Sequence, residues 1–398
     1  MARPQYKVYI DLSSGLEWNV GSQQEITQWV SQVAVRRGRT RLINDFEAGT
    51  AIVTLFDDGT VPSIPADYIQ TGKIKITVDS FSNTYPLFYG FINKVDSLFN
   101  QSTDEISRLT LNCTDAFRLI NNAVITTVSG ASAQLSGTRV NKILDQIGFP
   151  AALRDIDAGQ TTCQADPGSQ RPALEAIRTV EKTEAGAFFI DAEGKATFLD
   201  RTALYNKLYI ASSAVLPVFF IPEPWNPSII GSAVQYVNAT VRADDDIIYN
   251  DVTVTRSGGT AQNKKDAVSI ATYFQRSASR SGVLMQTDAE AADLAGAMLA
   301  TLKDGDTRID EVLVDITDVD NDKSDWLFPL NLLDLAGARK TLPDGTNLVT
   351  NQVAIQGMYW NLSPQRSTVT YYLAEPLLKA LILDDWIYGR LDYNSLGY

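Results

Sequence analysis

Four guanidinium groups crowd into six residues at Arg36, Arg37, Arg39 and Arg41, and a guanidinium pairs bidentately with phosphate or carboxylate. The same run suits a salt-bridged strand surface, so the four are candidates for contact with a protein partner. Asp318, Asp320 and Asp322 alternate as at the start of a calcium loop. Lys323 stands where that loop needs glycine, however, and Pro329 where it needs a bidentate glutamate. An acidic surface turn is expected there and at Asp244-Asp245-Asp246. Histidine is absent, which removes the usual general base and the commonest metal ligand. Cys113 and Cys163 are the two cysteines; they form no CxxC pair and read as small buried hydrophobes. A carboxylate pair of the glycosidase kind remains available in principle, yet no compact acid-rich motif lies beside sugar-stacking aromatics. Glycine-rich phosphate loops are missing too. No catalytic residue, metal or cofactor is expected.

Forty-seven acidic against thirty-four basic residues give a formal charge of -13, which repels phosphate backbones and points to protein partners. At 398 residues the chain exceeds one ordinary hydrophobic core. Its 44% hydrophobic and 20% charged residues are those of a folded protein. Apolar runs fall short of the ~20 residues of a membrane span, and the N-terminus shows no secretory signal.

Period-two alternation predicts strands at 6–10, 51–55, 73–78 and 108–113. The period then changes to 3.6, giving one helix ending near Gly148 and another opening at Pro172 and stopping at Gly186. A hairpin over 187–199 follows. Strands resume at 234–241 and 251–255. A helix over 288–302 opens on the capping box Thr287-Asp288-Ala289-Glu290, and strands return at 311–316, 352–358 and 367–373. The fold class expected is therefore mainly β with an α+β insert: two antiparallel β-barrel-like domains plus a small helix-hairpin domain. The boundaries are 1–120, 121–205, 206–376 with a helical insert at 268–304, and a C-terminal docking segment at 377–398. That last segment holds Leu381-Ile382-Leu383 and Trp386-Ile387-Tyr388, more apolar bulk than a free tail exposes. Trp386, Ile387 and Tyr388 join the arginines as interface candidates.

Several stretches together resemble the minor tail, or baseplate hub, proteins of long-tailed bacteriophages. They are Phe46-Glu47-Ala48-Gly49-Thr50, Pro86-Leu87-Phe88-Tyr89-Gly90-Phe91-Ile92 and Leu109-Thr110-Leu111-Asn112-Cys113. Further along come Arg139-Val140-Asn141-Lys142-Ile143-Leu144-Asp145, Gly194-Lys195-Ala196-Thr197-Phe198-Leu199-Asp200-Arg201 and Tyr388-Gly389-Arg390-Leu391-Asp392. Their order across nearly the whole chain carries the likeness. The resemblance implies a homotrimeric hub at the virion tail tip, made in the host cytoplasm. Such a hub closes or extends the tail tube and adapts its sixfold symmetry to a threefold tip. Its implied partners are the hexameric distal tail and tail tube, the tape measure protein, and tail-tip fibre or spike proteins. Double-stranded DNA passes through the lumen without sequence-specific binding. The alternative is a carbohydrate-binding tail adhesin that recognises host surface glycans through exposed Trp and Tyr.

Overall fold

The computed structural model describes residues 5–41, 44–57, 72–80, 83–98, 107–128, 133–209, 219–221, 233–243, 245–305, 307–319, 321–341 and 347–374. Its first region comprises β1 (Gln5–Asp11), β2 (Gln23–Glu25), β3 (Val30–Gly38), β4 (Glu47–Asp57), β5 (Lys73–Ser80), β6 (Asn83–Leu98) and β7 (Ser107–Thr114). All pair antiparallel, in the order β2-β1-β5-β6-β7-β4-β3. Successive side chains on a strand point to opposite faces. Ala51, Val53 and Leu55 of β4 are therefore buried while Ile52 and Phe56 face outward.

A smaller α+β unit follows. It holds α1 (Phe117–Asn122), β8 (Val124–Ile125), β9 (Gln134–Leu135), α2 (Ser136–Gln146), β10 (Arg154–Ile156), β11 (Thr162–Cys163) and β12 (Arg171–Pro172). Next come α3 (Ala173–Glu184), β13 (Ala187–Ile190), β14 (Ala196–Leu199) and α4 (Arg201–Tyr209). Val140, Ile143 and Leu144 of α2 meet Ile177 and Val180 of α3 in one buried cluster with the hairpin residues Phe188 and Phe198. Gly148 takes the left-handed conformation expected of it, with φ +70°. The stop of α3 falls one residue earlier than expected, at Ala185 with φ 55°. Gly186 serves a different need, since a Cβ there would lie 2.3 Å from the Leu199 carbonyl oxygen.

The remaining strands are β15 (Phe219–Ile221), β16 (Ala233–Gln235), β17 (Asn238–Ala243), β18 (Asp251–Arg256), β19 (Gln262–Lys265) and β20 (Ser277–Val283). After them come β21 (Thr307–Asp315), β22 (Leu335–Thr341), β23 (Asn347–Leu362) and β24 (Thr368–Ala374). Helices α5 (Ala267–Tyr273), α6 (Asp288–Leu302) and α7 (Asn321–Leu327) interrupt them. The β18, β19 and β20 strands form a separate sheet covered by α6, with its own small core around Val252, Val254 and Leu294. Both halves of the expected capping box at Thr287 and Glu290 are formed.

The mainly β class holds, with large antiparallel sheets. The two β regions are nevertheless one surface: β23 pairs antiparallel with β3, Gly357 facing Gly38 and Leu362 facing Val33. The C-terminal half of β23 thus lies between β3 and β24, and fourteen strands share one branched sheet. No closed barrel is found among the described residues. One buried cluster spans both regions, from Val8, Val33 and Val53 to Trp360, Val369 and Tyr371.

Candidate assembly interface

Strand alternation separates the arginines. Arg36 faces out, in register between Thr50 of β4 and Tyr359 of β23, and its Nη2 pairs with Glu47 Oε2 at 3.1 Å. Arg37 points inward and is 4% exposed. Its Nη2 donates to Asn331 Oδ1 at 2.8 Å. Burial pulls its pKa down to about 10, and the nearby carboxylates of Asp191, Asp115 and Asp334 oppose that fall. Arg39 is half-buried. It donates to Gln356 Oε1 at 2.9 Å and to the Asn44 carbonyl at 2.7 Å, and its guanidinium lies 4.4 Å from the Phe46 ring centroid. Arg41 reaches across to Asp246 at 2.6 Å. Arg36 and Arg37 thus lie on an interior strand and Arg39 and Arg41 just beyond its end, and the four do separate work: Arg36 and Arg41 lie at the surface, while Arg37 and Arg39 hold elements of the same chain together.

Around Arg37 and Arg39 the large sheet is clasped to the α+β unit. Asp115 is buried; its two carboxylate oxygens accept from the backbone N–H groups of Gly49 and Phe117 at 2.6 and 3.0 Å. Desolvation lifts its pKa to about 7 despite those bonds and Arg37. Glu181 is lifted to about 7 for the same reason, against the Phe188 N–H that it accepts at 2.9 Å. Asp45 bridges Arg178 at 3.3 Å and Lys182 at 3.2 Å on α3. These carboxylates are engaged by backbone amides and ion pairs, a structural employment. A buried ion pair, Lys73 with Asp11 at 3.1 Å, fixes β5 to β1. Lys73 also donates to Ser13 and Gly15 carbonyls. Hydrogen bonds from Ser22, Asn19 and Ser13 hold Asp11 well below the usual carboxylate range even though burial works the other way. Both cysteines are buried and unpaired with each other.

The outer face of the sheet carries the exposed material. Directly opposed residues on antiparallel strands share a face, so Phe56, Arg108 and Leu98 form one row across β4, β7 and β6. Phe56 and Leu98 are 44% and 61% exposed, and among the described residues Arg108 has no hydrogen-bond or ion-pair partner. Beside this row runs a polar groove of about 530 Å³ lined by Thr54, Asn361, Arg366 and Thr368 among others. It lies on the seam of the two β regions. On the small module, Phe274 projects with 85% exposure and φ 61°. Trp386, Ile387 and Tyr388 lie outside the described residues. The Phe56, Arg108 and Leu98 row escaped the sequence reading because strand register, not residue type, assembles it.

Solved structures that superpose on this chain over most of its length are phage tail proteins and a VgrG complex. The tail protein of Neisseria meningitidis MC58 superposes with a TM-score of 0.59 at 11% identity, covering 93% of this chain and 96% of that one. The 43 kDa tail protein of prophage MuSo2 from Shewanella oneidensis gives 0.57 at 12% identity, with 93% and 98% covered. The Francisella PdpA-VgrG complex matches 99% of this chain but 54% of its own, at TM-score 0.52 and 10% identity. No protein-family model and no curated protein matches the sequence. No helix among the described residues is long and apolar enough to cross a membrane.

Proposed function

We propose that this chain is a structural component of a phage tail tip, a homotrimeric hub that adapts a sixfold tube to a threefold tip around the DNA channel. The observation that carries the reading is the near-complete mutual coverage with two tail proteins of similar length. The whole architecture corresponds, not one portable domain. In this reading the work is symmetric assembly and no catalysis is involved. The partners are the tail tube, the tape measure protein and tip fibre or spike proteins, and the place is the virion tail tip. The net charge of -13 per chain keeps passing DNA from adhering. Arg36 and Arg41, exposed and holding exchangeable ion pairs, are the arginines placed to meet neighbouring subunits, and Trp386-Ile387-Tyr388 anchors a subunit or tip protein.

Light scattering during gel filtration tests this. Three times 43.7 kDa, with a central hole on imaging, is the expected result. A strict monomer that also fails to join purified tail tubes would overturn it. Arg36→Glu with Arg41→Glu is expected to leave the fold intact and to weaken association roughly tenfold, the order of a lost interface charge contact.

A further inference from the structure

We infer that the Phe56, Arg108 and Leu98 row is the receptor for the acidic-apolar C-terminal segment of a neighbouring copy, centred on Asp384 and Asp385. This rests on the assembly reading above and names the contact that makes it. An arginine flanked by an aromatic and an aliphatic residue is the composition of an interface anchor. Every other described arginine is held by its own chain, so Arg108 is the guanidinium left for an incoming carboxylate. The C-terminal segment has the complementary order: Leu381-Ile382-Leu383, then the two aspartates, then Trp386-Ile387-Tyr388. Its carboxylates meet Arg108 while the flanking apolar residues cover Phe56 and Leu98, and the groove beside the row receives the polar backbone.

Reach favours a second copy. Thr368 of β24 faces Asn361, and Ala374 faces Ala354, so β24 carries the chain away from the end of the sheet where the row lies. Through β3 and β4, Asn361 is level with Ile52, four residues before Phe56. The offset from Ala374 is about 11 residues along the strands and four strands sideways, roughly 40 Å at ordinary strand spacings. Ten residues from Ala374 to Asp384 stretch to at most about 35 Å. At these spacings the chain's own aspartates reach Arg108 only with the segment fully stretched and both side chains extended, whereas a neighbour's do not have that constraint.

The test is disulfide trapping in the full-length protein with Leu98→Cys and Ile387→Cys, the native cysteines being buried. Oxidation is expected to give covalent dimers and trimers on a non-reducing gel. Charge exchange supplies the second measurement: Arg108→Glu weakens association about tenfold or more, and adding Asp384→Arg and Asp385→Arg restores it. If light scattering shows an oligomer but no interchain bond forms, or if Arg108→Glu leaves association unchanged, this contact is wrong and the hub stands. A wild type that stays monomeric and also fails to join purified tail tubes removes the hub reading and this contact together.

Discussion

Glu181 shows what a single buried carboxyl does to the whole protein. Its folded pKa of about 7 lies above the ordinary 4.5. Between those values the native state binds more protons than the unfolded chain, so this group makes stability fall as pH rises from about 4.5 to about 7. Glu181→Gln keeps the oxygen that accepts the Phe188 N–H and removes the titration. Urea midpoints from pH 4.5 to 7.5 are expected to decline less steeply in this variant than in the wild type; equal slopes would refute the assignment. Asp251 works in the opposite sense. Hydrogen bonds from Asn263, Lys265, Ser277 and Gln275 hold it at about 2 although burial opposes them, so its contribution is lost only as pH falls below the ordinary carboxylate range. Neither residue stood out in the sequence. Burial and the donors that reach each carboxylate decide these shifts, and both are set by how the chain packs rather than by residue type.

At the scale of elements, local chemistry was legible and pairing was not. Alternation announced β1, β4, β5 and β7, and Thr287 with Glu290 announced α6, because those signals lie within a few residues. Alternation says which residues face inward; it does not say which strand lies alongside. The crossing of β3 with β23 was therefore invisible, and so were the separate fates of Arg36 and Arg37. Gly38 makes that crossing possible. It has φ +87°, and a Cβ there would stand 2.3 Å from the Gln356 carbonyl oxygen. Gly38→Ala is expected to cost about 3 kcal/mol in urea unfolding, because strain and collision add. Gly148, at φ +70° with open space around it, provides the control: Gly148→Ala is expected to cost only about 1 kcal/mol, from backbone strain alone. Similar losses at the two positions would show that the crowding at β3 and β23 is relieved cheaply.

For the whole molecule, the shared core implies shared cooperativity. Val33 and Trp360 belong to one cluster, whereas Val252 and Leu294 belong to a small one of their own. Hydrogen exchange of β3 and β23 amides is expected to report one opening free energy. Amides of β18 and α6 are expected to open at lower cost. Exchange of β18 only together with β3 would contradict that separation. The same long-range pairing has a consequence for how the protein is made. Gln32 and its hydrogen-bond partner Asn361 are 329 residues apart in the chain, and a ribosome adding about 5–20 residues per second takes roughly a quarter of a minute to a minute to cover that interval. Throughout it the nascent β3 presents an open hydrogen-bonding edge to every other growing chain on the same messenger, so the interval between its emergence and that of β23 is when the cell that makes this protein stands to lose it to aggregation.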